Sequence, residues 1–247
     1  MGETKTSSTR TFTITVQPAK PKFEVLPGRV STGIADVDAL LFGGIPERYA
    51  VVLASPSTDE REFLIKRFLE TGAKAGDTTF NITSEVAAAN VLAEKYPQNF
   101  YLFVCNPRAD AMVQSTPNVF KLKGVENLTD IDIALTKVFR ALTPSATRLK
   151  RICIDVVSDA LLQHRVVTTR RWLSALLPTL KSRGFTVLAT VNPRMHPPEE
   201  FEAVVSLFDG EIDVYEKETS KGIARFLRIR KMTGQKYLKD EIPLTKG

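Results

Sequence analysis

Residues 31–69 read STGIADVDALLFGGIPERYAVVLASPSTDEREFLIKRFL, and the second half of that stretch sets the architecture. YAVVLA, residues 49–54, is a short apolar run rich in β-branched residues, the composition of a strand covered on both faces. A polar turn, SPST, follows it. Residues 58–72 then carry Phe63, Leu64, Phe68 and Leu69 on one face, with Gly72 as a natural stop, which predicts an amphipathic helix.

Working outward, the same alternation recurs. TTFNIT (78–83), FYLFVC (100–105), RICIDV (151–156), TVLATV (186–191) and EIDVYE (211–216) read as strands. Helical patterns fall at about 130–142, on Ile131, Leu135, Val138 and Phe139, and at about 168–183, on Trp172, Leu173, Leu176, Leu177 and Leu180. Strand and helix in turn imply an α/β fold, a mostly parallel sheet with helices on both faces. ARFLRIRKMTGQKY reads as a last strand running into a glycine-containing turn. Residues 1–30 are polar and carry prolines at 18, 21 and 27, so they are expected to form an extended or flexible arm ahead of one domain, 31–247.

Composition narrows the function without naming it. Of 247 residues, 43% are apolar and 25% charged, which excludes collagen, coiled coil and wholesale disorder. A net charge of +6 permits anionic partners but does not demand nucleic acid. Cys105 and Cys153 lie inside apolar runs, as expected of reduced, buried thiols in a cytoplasmic chain, and leave no disulfide or zinc framework. No apolar stretch approaches the roughly 20 residues that cross a bilayer. His164 and His196 lack metal-ligand spacing and are expected at the surface or at a helix end.

The segment from Ser31 to Pro46, followed by the strand at 49–54, resembles the opening of the KaiC and RadA-like branch of the RecA-type ATPases, which reads TGI-x-x-LD-x-L-x-GGIP. RICID resembles a Walker B strand ending in Asp155, GFTVLATVN resembles the strand after it, and FDGEIDVYE with RFLRIRKMTGQKY resembles the family's closing antiparallel hairpin. The resemblance covers about residues 31–240 in the family's order. It implies a RecA-like sheet, head-to-tail ring or filament contacts, and an ATP site.

The departure lies at the phosphate loop. The pattern GxxxxGK[ST] falls on SPSTDERE, where Ser55 replaces the first glycine, Glu60 the second, Arg61 the lysine and Glu62 the hydroxyl residue, with Thr58 between them. A cradle of converging N–H groups needs strained or left-handed angles that Ser and Glu resist by roughly 1–2 kcal/mol per residue. Asp59, Glu60 and Glu62 also bring carboxylates to a helix N-terminus that would otherwise attract phosphate, and Ser57 with Glu60 fits a capping box. Arg61 reads either as a solvated residue paired with Glu60 or Glu62, or as a remnant anion contact.

Elsewhere the resemblance leaves Glu85 as one of the family's two water-preparing acids, Ser84 standing at the other. Lys231 remains of a lysine and arginine pair that in the family reaches a neighbouring subunit's γ-phosphate, with Thr233 at the second place. Glu85, Asp155 and Lys231 are therefore remnant candidates, and neither bound ATP nor magnesium is expected. Residues 137–183 hold ten basic residues against two acids, whereas 199–218 hold eight acids and one lysine. Opposed patches suit head-to-tail packing of protein on protein, and Arg165, Arg170 and Arg171 offer an alternative contact with single-stranded nucleic acid. Trp172, at helical spacing with Leu173 and Leu176, reads as core. The expected function is that of a non-catalytic adaptor or regulator. The alternatives are a nucleic-acid-binding recombination or repair accessory, and an ATPase using Arg61 and Glu85.

Overall fold

The computed structural model describes residues 25–85, 87–142, 149–220 and 222–244, without the side chains of residues 87 and 88. Residues 1–24 of the expected arm, and Arg148 of the basic stretch, lie outside the described residues. In chain order the elements are β1 (Arg29–Val30), α1 (Ala35–Leu40), β2 (Ile45–Pro46), β3 (Ala50–Ala54), α2 (Thr58–Ala75), β4 (Thr78–Thr83), α3 (Ala87–Lys95), β5 (Phe100–Cys105) and α4 (Ala109–Met112). There follow β6 (Val119–Leu122), α5 (Leu128–Ala141), β7 (Lys150–Asp155), α6 (Val157–Ser182), β8 (Phe185–Val191), α7 (Pro198–Val205), β9 (Gly210–Thr219), β10 (Gly222–Met232) and β11 (Glu241–Leu244).

Nine strands form one sheet in the order β11-β10-β9-β3-β8-β7-β4-β5-β6. The strands from β6 to β9 run parallel, and β10 and β11 add antiparallel at one edge. This is the mostly parallel sheet with a closing hairpin that the sequence predicts. Alternation along each strand sorts two cores. Phe80, Ile82, Ile152, Ile154, Val187 and Ala189 meet α5, α6 and α7 on one face. Val51, Leu53, Cys153 and Leu188 meet α1, α2 and α3 on the other. Asn81, Thr83 and Asp155 share that second face by the same period of two.

Three expectations change in detail. Helix α2 does not stop at Gly72 but runs to Ala75, with Gly76 capping it in the left-handed region at φ 81°. Gly72 serves packing instead, because a Cβ there would run into Arg151 Nε. The helix expected at 168–183 begins at Val157 and is broken at Arg165, whose φ of 58° and ψ of 174° leave the helical region. The glycine turn at Gly234 is followed by a further strand, β11. His196 stands at a helix end as expected, capping the short 3-10 turn Pro193–Met195, but it is buried there with an unpartnered Nε2, and burial holds its pKa below the ordinary value.

Arg151 explains how the segment ahead of the first long strand is locked to the sheet. Its side chain is 2% exposed, and Nε donates to Asp77 Oδ2 at 3.0 Å. Nη1 donates to the carbonyls of Phe68 and Ser31, both at 2.9 Å. Ser31 and Thr32 in turn donate to Asp38 of α1. One buried cation therefore ties β7, α2, the α2–β4 turn and the residues before α1 together, and its charge is balanced by Asp77.

Gly72→Ala is expected to lower stability by roughly 1–3 kcal/mol by crowding Arg151, although the same change in an exposed helix would gain about 1 kcal/mol. Urea unfolding at an unchanged m-value checks the sign.

Candidate functional site

At the C-terminal edge of a parallel sheet strands end together and helices begin, so polar side chains converge there. Register sets the neighbours. Thr83 lies opposite Asp155 across the β4–β7 pair, and Thr190 of β8 reaches the same carboxylate from the other side. The Thr190 hydroxyl donates to Asp155 Oδ1, and that of Thr83 to Oδ2 at 3.4 Å. Asp155 is thus gripped by hydroxyls on both flanks, with its side chain 7% exposed.

Helix α2 supplies the counter-charge. Arg61 Nε stands 3.5 Å from Asp155 Oδ1, and the Arg61 side chain is 15% exposed. The contact is an ion pair, since Arg61 Nε is buried without a hydrogen-bond partner. Neither reading of Arg61 from sequence named this pairing. The residue turns inward onto the acid at the end of β7 rather than outward to Glu60 or Glu62. Burial pushes the Asp155 carboxyl up, while Arg61 and the hydroxyls of Thr190 and Thr83 pull it down and Asp159 adds to the rise.

The loop leading to this helix is short. Ser55, Pro56 and Ser57 connect β3 to α2, and Thr58 is already helical. The Arg61 N–H points back along the helix to the Ser57 carbonyl at 3.4 Å. Among the described non-glycine residues positive φ occurs at Phe42, Arg48 and Arg165, none of them in this loop. Ser57 stands at the N-cap with extended angles but makes no side-chain bond to the backbone. Its hydroxyl donates to Glu60 Oε2 instead, so the expected capping box does not form. The reason is Arg225 of β10, whose Nη1 donates to Glu60 Oε1 at 2.7 Å and draws that carboxylate toward the hairpin. Glu60 is 6% exposed, and its pKa is lowered because the Ser57 and Arg225 bonds outweigh burial.

Glu62 and Glu85 stand at the mouth of a cleft of about 150 Å³ beside Asp155, between α2, α3 and β4. Burial raises the Glu62 carboxyl, and the charge of Glu85 raises it further. Ser84 donates to Asp159 Oδ2 at 2.8 Å. Lys231 is elsewhere. It lies on β10 opposite Glu211, four strand spacings from β7, which is about 19 Å.

The charge blocks are less opposed than their sequence suggests. Asp209 pairs with Lys181, Glu211 with Arg230, Asp213 with Arg228, and Glu216 with Arg194 and Arg225. These hairpin pairs leave Glu199, Glu200 and Glu202 of α7 as the more concentrated acidic feature. On the basic side Arg165 and Arg171 are exposed, whereas Arg170 donates to the Ser206 hydroxyl at 3.1 Å. Trp172 is core, its Nε1 donating to Asp132. Cys105 and Cys153 are free and buried. Among the described residues there is no cluster of metal-binding side chains and no helix long and apolar enough to cross a membrane.

Comparison with known proteins gives the same frame. The family model for the KaiC ATPase matches residues 30–245. A crystal structure of a KaiC-like protein from the hyperthermophilic archaeon Pyrococcus horikoshii has a TM-score of 0.62 to this chain at 21% identity, covering 87% of this chain and 93% of that one. At that identity the likeness is one of fold. No curated protein matches.

Arg61→Met would strand the Asp155 charge. A raised carboxyl pKa means that the folded state holds the proton more tightly, so the Asp155 contribution favours folding at low pH and is lost as pH rises through the folded value. Removing Arg61 raises that value further. The variant is expected to lose roughly 2–4 kcal/mol at neutral pH and clearly less in acid, as followed by urea unfolding across the two pH ranges.

Proposed function

We propose, since this chain belongs to the KaiC ATPase family, that it is a non-catalytic member acting as an adaptor or regulator through contacts with other proteins, either copies of itself or an active relative. The observation that carries this reading is the Arg61–Asp155 ion pair. In the family's pattern these positions hold the phosphate-binding cation and the metal-side acid. Here the two neutralise each other, so each has lost its vacancy for a ligand.

The residues present do not fit Mg-ATP. A phosphate cradle needs several consecutive N–H groups turned toward one point. The connection from β3 is three residues long, the Arg61 N–H is already bonded back to the Ser57 carbonyl, and the N–H groups left open at the start of α2 are those of Thr58, Asp59 and Glu60, two of which bring their own carboxylates. An incoming triphosphate would also meet Asp59 and Glu62. Magnesium would have to displace Arg61 from Asp155 while Thr83 and Thr190 hold that carboxylate in place.

A second reading, single-strand binding in recombination or repair, draws on the exposed Arg165 and Arg171 beside the break in α6, where Leu162 and Val167 are also exposed. It is the weaker one. Arg170 is engaged by Ser206, and the burial of Trp172 removes the aromatic surface on which a base would stack.

Isothermal titration of the full chain with Mg-ATP is expected to give no measurable binding at micromolar nucleotide and no hydrolysis. Micromolar binding, with hydrolysis that Asp155→Asn abolishes, would overturn the reading. Titration with a single-stranded oligonucleotide is expected to give no shift that falls steeply with salt. Such a shift, weakened by replacing Arg165 and Arg171, would favour the second reading.

A further inference from the structure

We propose that two copies of this chain pair as a closed twofold dimer through the outer faces of α6 and α7, each copy laying its α6 over the α7 of the other. This dimer is the copy-to-copy contact of the proposed adaptor and rests on that reading. Its readout is mass rather than nucleotide binding, so the two fail separately.

The fold decides how the charge blocks stand. Helices α5, α6 and α7 cover one face of the sheet, and α6 packs beside α7, with Arg170 donating to the Ser206 hydroxyl at 3.1 Å. The basic and acidic blocks, which their separation in sequence suggests are opposed, therefore lie side by side in one layer. Patches on opposite sides of a domain suit head-to-tail stacking, whereas a positive row beside a negative row on one face is complementary to its own twofold copy.

Heights agree along the two helices. α6 follows β7 and α7 follows β8, which are parallel strands, so both helices return from the same edge of the sheet in the same direction. Because Arg170 meets Ser206, the residues four or five positions earlier on each, Arg165 and Glu202, stand at about the same height, with Glu199 one turn beyond. A twofold axis along the groove between α6 and α7 keeps heights and exchanges sides. It brings Arg165 and Arg171 of one copy onto Glu199 and Glu202 of the other, twice per dimer. All four residues are exposed, and among the described residues none of them is in an ion pair.

The same face is apolar where a solvated helix would be charged. Leu162 and Val167, on either side of the break in α6, are 58% and 67% exposed. Val167, Arg171 and Pro178 share the outward face by helical spacing, and Arg171 is the one charged residue among the exposed positions from 166 to 182. Exposed apolar side chains with arginine, and without lysine or glutamate, are the composition of a covered interface rather than of a wet helix. A partner for that row must bring carboxylates, and α7 carries Glu199, Glu200 and Glu202 on its first two turns.

The test is sedimentation velocity of the full chain in low salt, where a mass of two chains is expected. The double variants Arg165→Glu/Arg171→Glu and Glu199→Lys/Glu202→Lys are each expected to weaken the dimer at least about tenfold, because each sets like charges against like in both halves of the contact. Mixed in equal amounts, the two variants are expected to restore the two-chain mass, since every reversed row then meets its opposite. Circular dichroism checks that each variant keeps the fold, and should Arg165→Glu not fold, Arg171→Glu alone takes its place in the mixture. The proposal is overturned by a wild-type chain that stays single at about 100 μM, by rings or longer assemblies, by reversals that leave the dimer intact, or by a mixture that stays dissociated.

Discussion

A carboxylate at the end of a central strand, 7% exposed, must be neutralised, and the way this chain meets that requirement organises its functional edge. Asp155 lies between two threonine hydroxyls and one guanidinium, with burial pushing its pKa up and these partners pulling it down. A site built to hold a metal and a polyphosphate leaves its acid to the metal and its cation to the phosphate. Here the cation comes from the first turns of α2 and meets the acid directly. The two charges meet inside the protein, and on this contact the proposed loss of nucleotide binding rests.

The rest of the edge follows from where α2 begins. Because its helical geometry starts at Thr58, residues of the loop pattern become helix residues, and successive ones turn to different neighbours. Arg61 faces the sheet, Glu60 faces Arg225 on the hairpin, and Glu62 faces the cleft with Glu85. The reading from sequence, in which carboxylates fill the phosphate position, is therefore refined: one acid is tied to β10, and a cation holds the centre. Behind this edge Arg151 anchors the same helix through the Phe68 carbonyl and fixes its distance from β7, with Gly72 leaving the room it needs. Half-buried Arg61 on α2 and buried Arg151 on β7 thus both tie this one helix to β7.

Much of the fold was legible because β-branched runs and leucine spacing are local signals. β3, β4, β5, β7, β8 and β9 fall where their apolar runs fall, and the sheet order agrees with the resemblance carried by Ser31–Pro46 and RICID. The misses share a cause. Gly72 looked like a stop, and only its contact with Arg151, 79 positions away in sequence, shows why a helix keeps a glycine there. Ser57 and Glu60 had the spacing of a capping box, and a partner 165 positions away took the glutamate. The half-buried β6 and the short β11 carry too little apolar pattern to stand out. At the site the sequence identified the relevant positions, including Arg61, Glu62, Glu85 and Asp155, but not the inward turn of Arg61. That depends on the rotation of α2 about its axis, which the packing of Leu64, Phe68 and Leu69 decides.

The central claim is that Arg61 and Asp155 stabilise each other at the position where the family holds a ligand. A double-mutant cycle of Arg61→Met and Asp155→Asn, measured by urea unfolding at neutral pH, tests it without reference to any ligand. The account predicts that the double variant is more stable than the sum of the two single losses implies, by about 1 kcal/mol or more. Additive losses, agreeing within about 0.5 kcal/mol, would mean that the two charges do not interact and would contradict it.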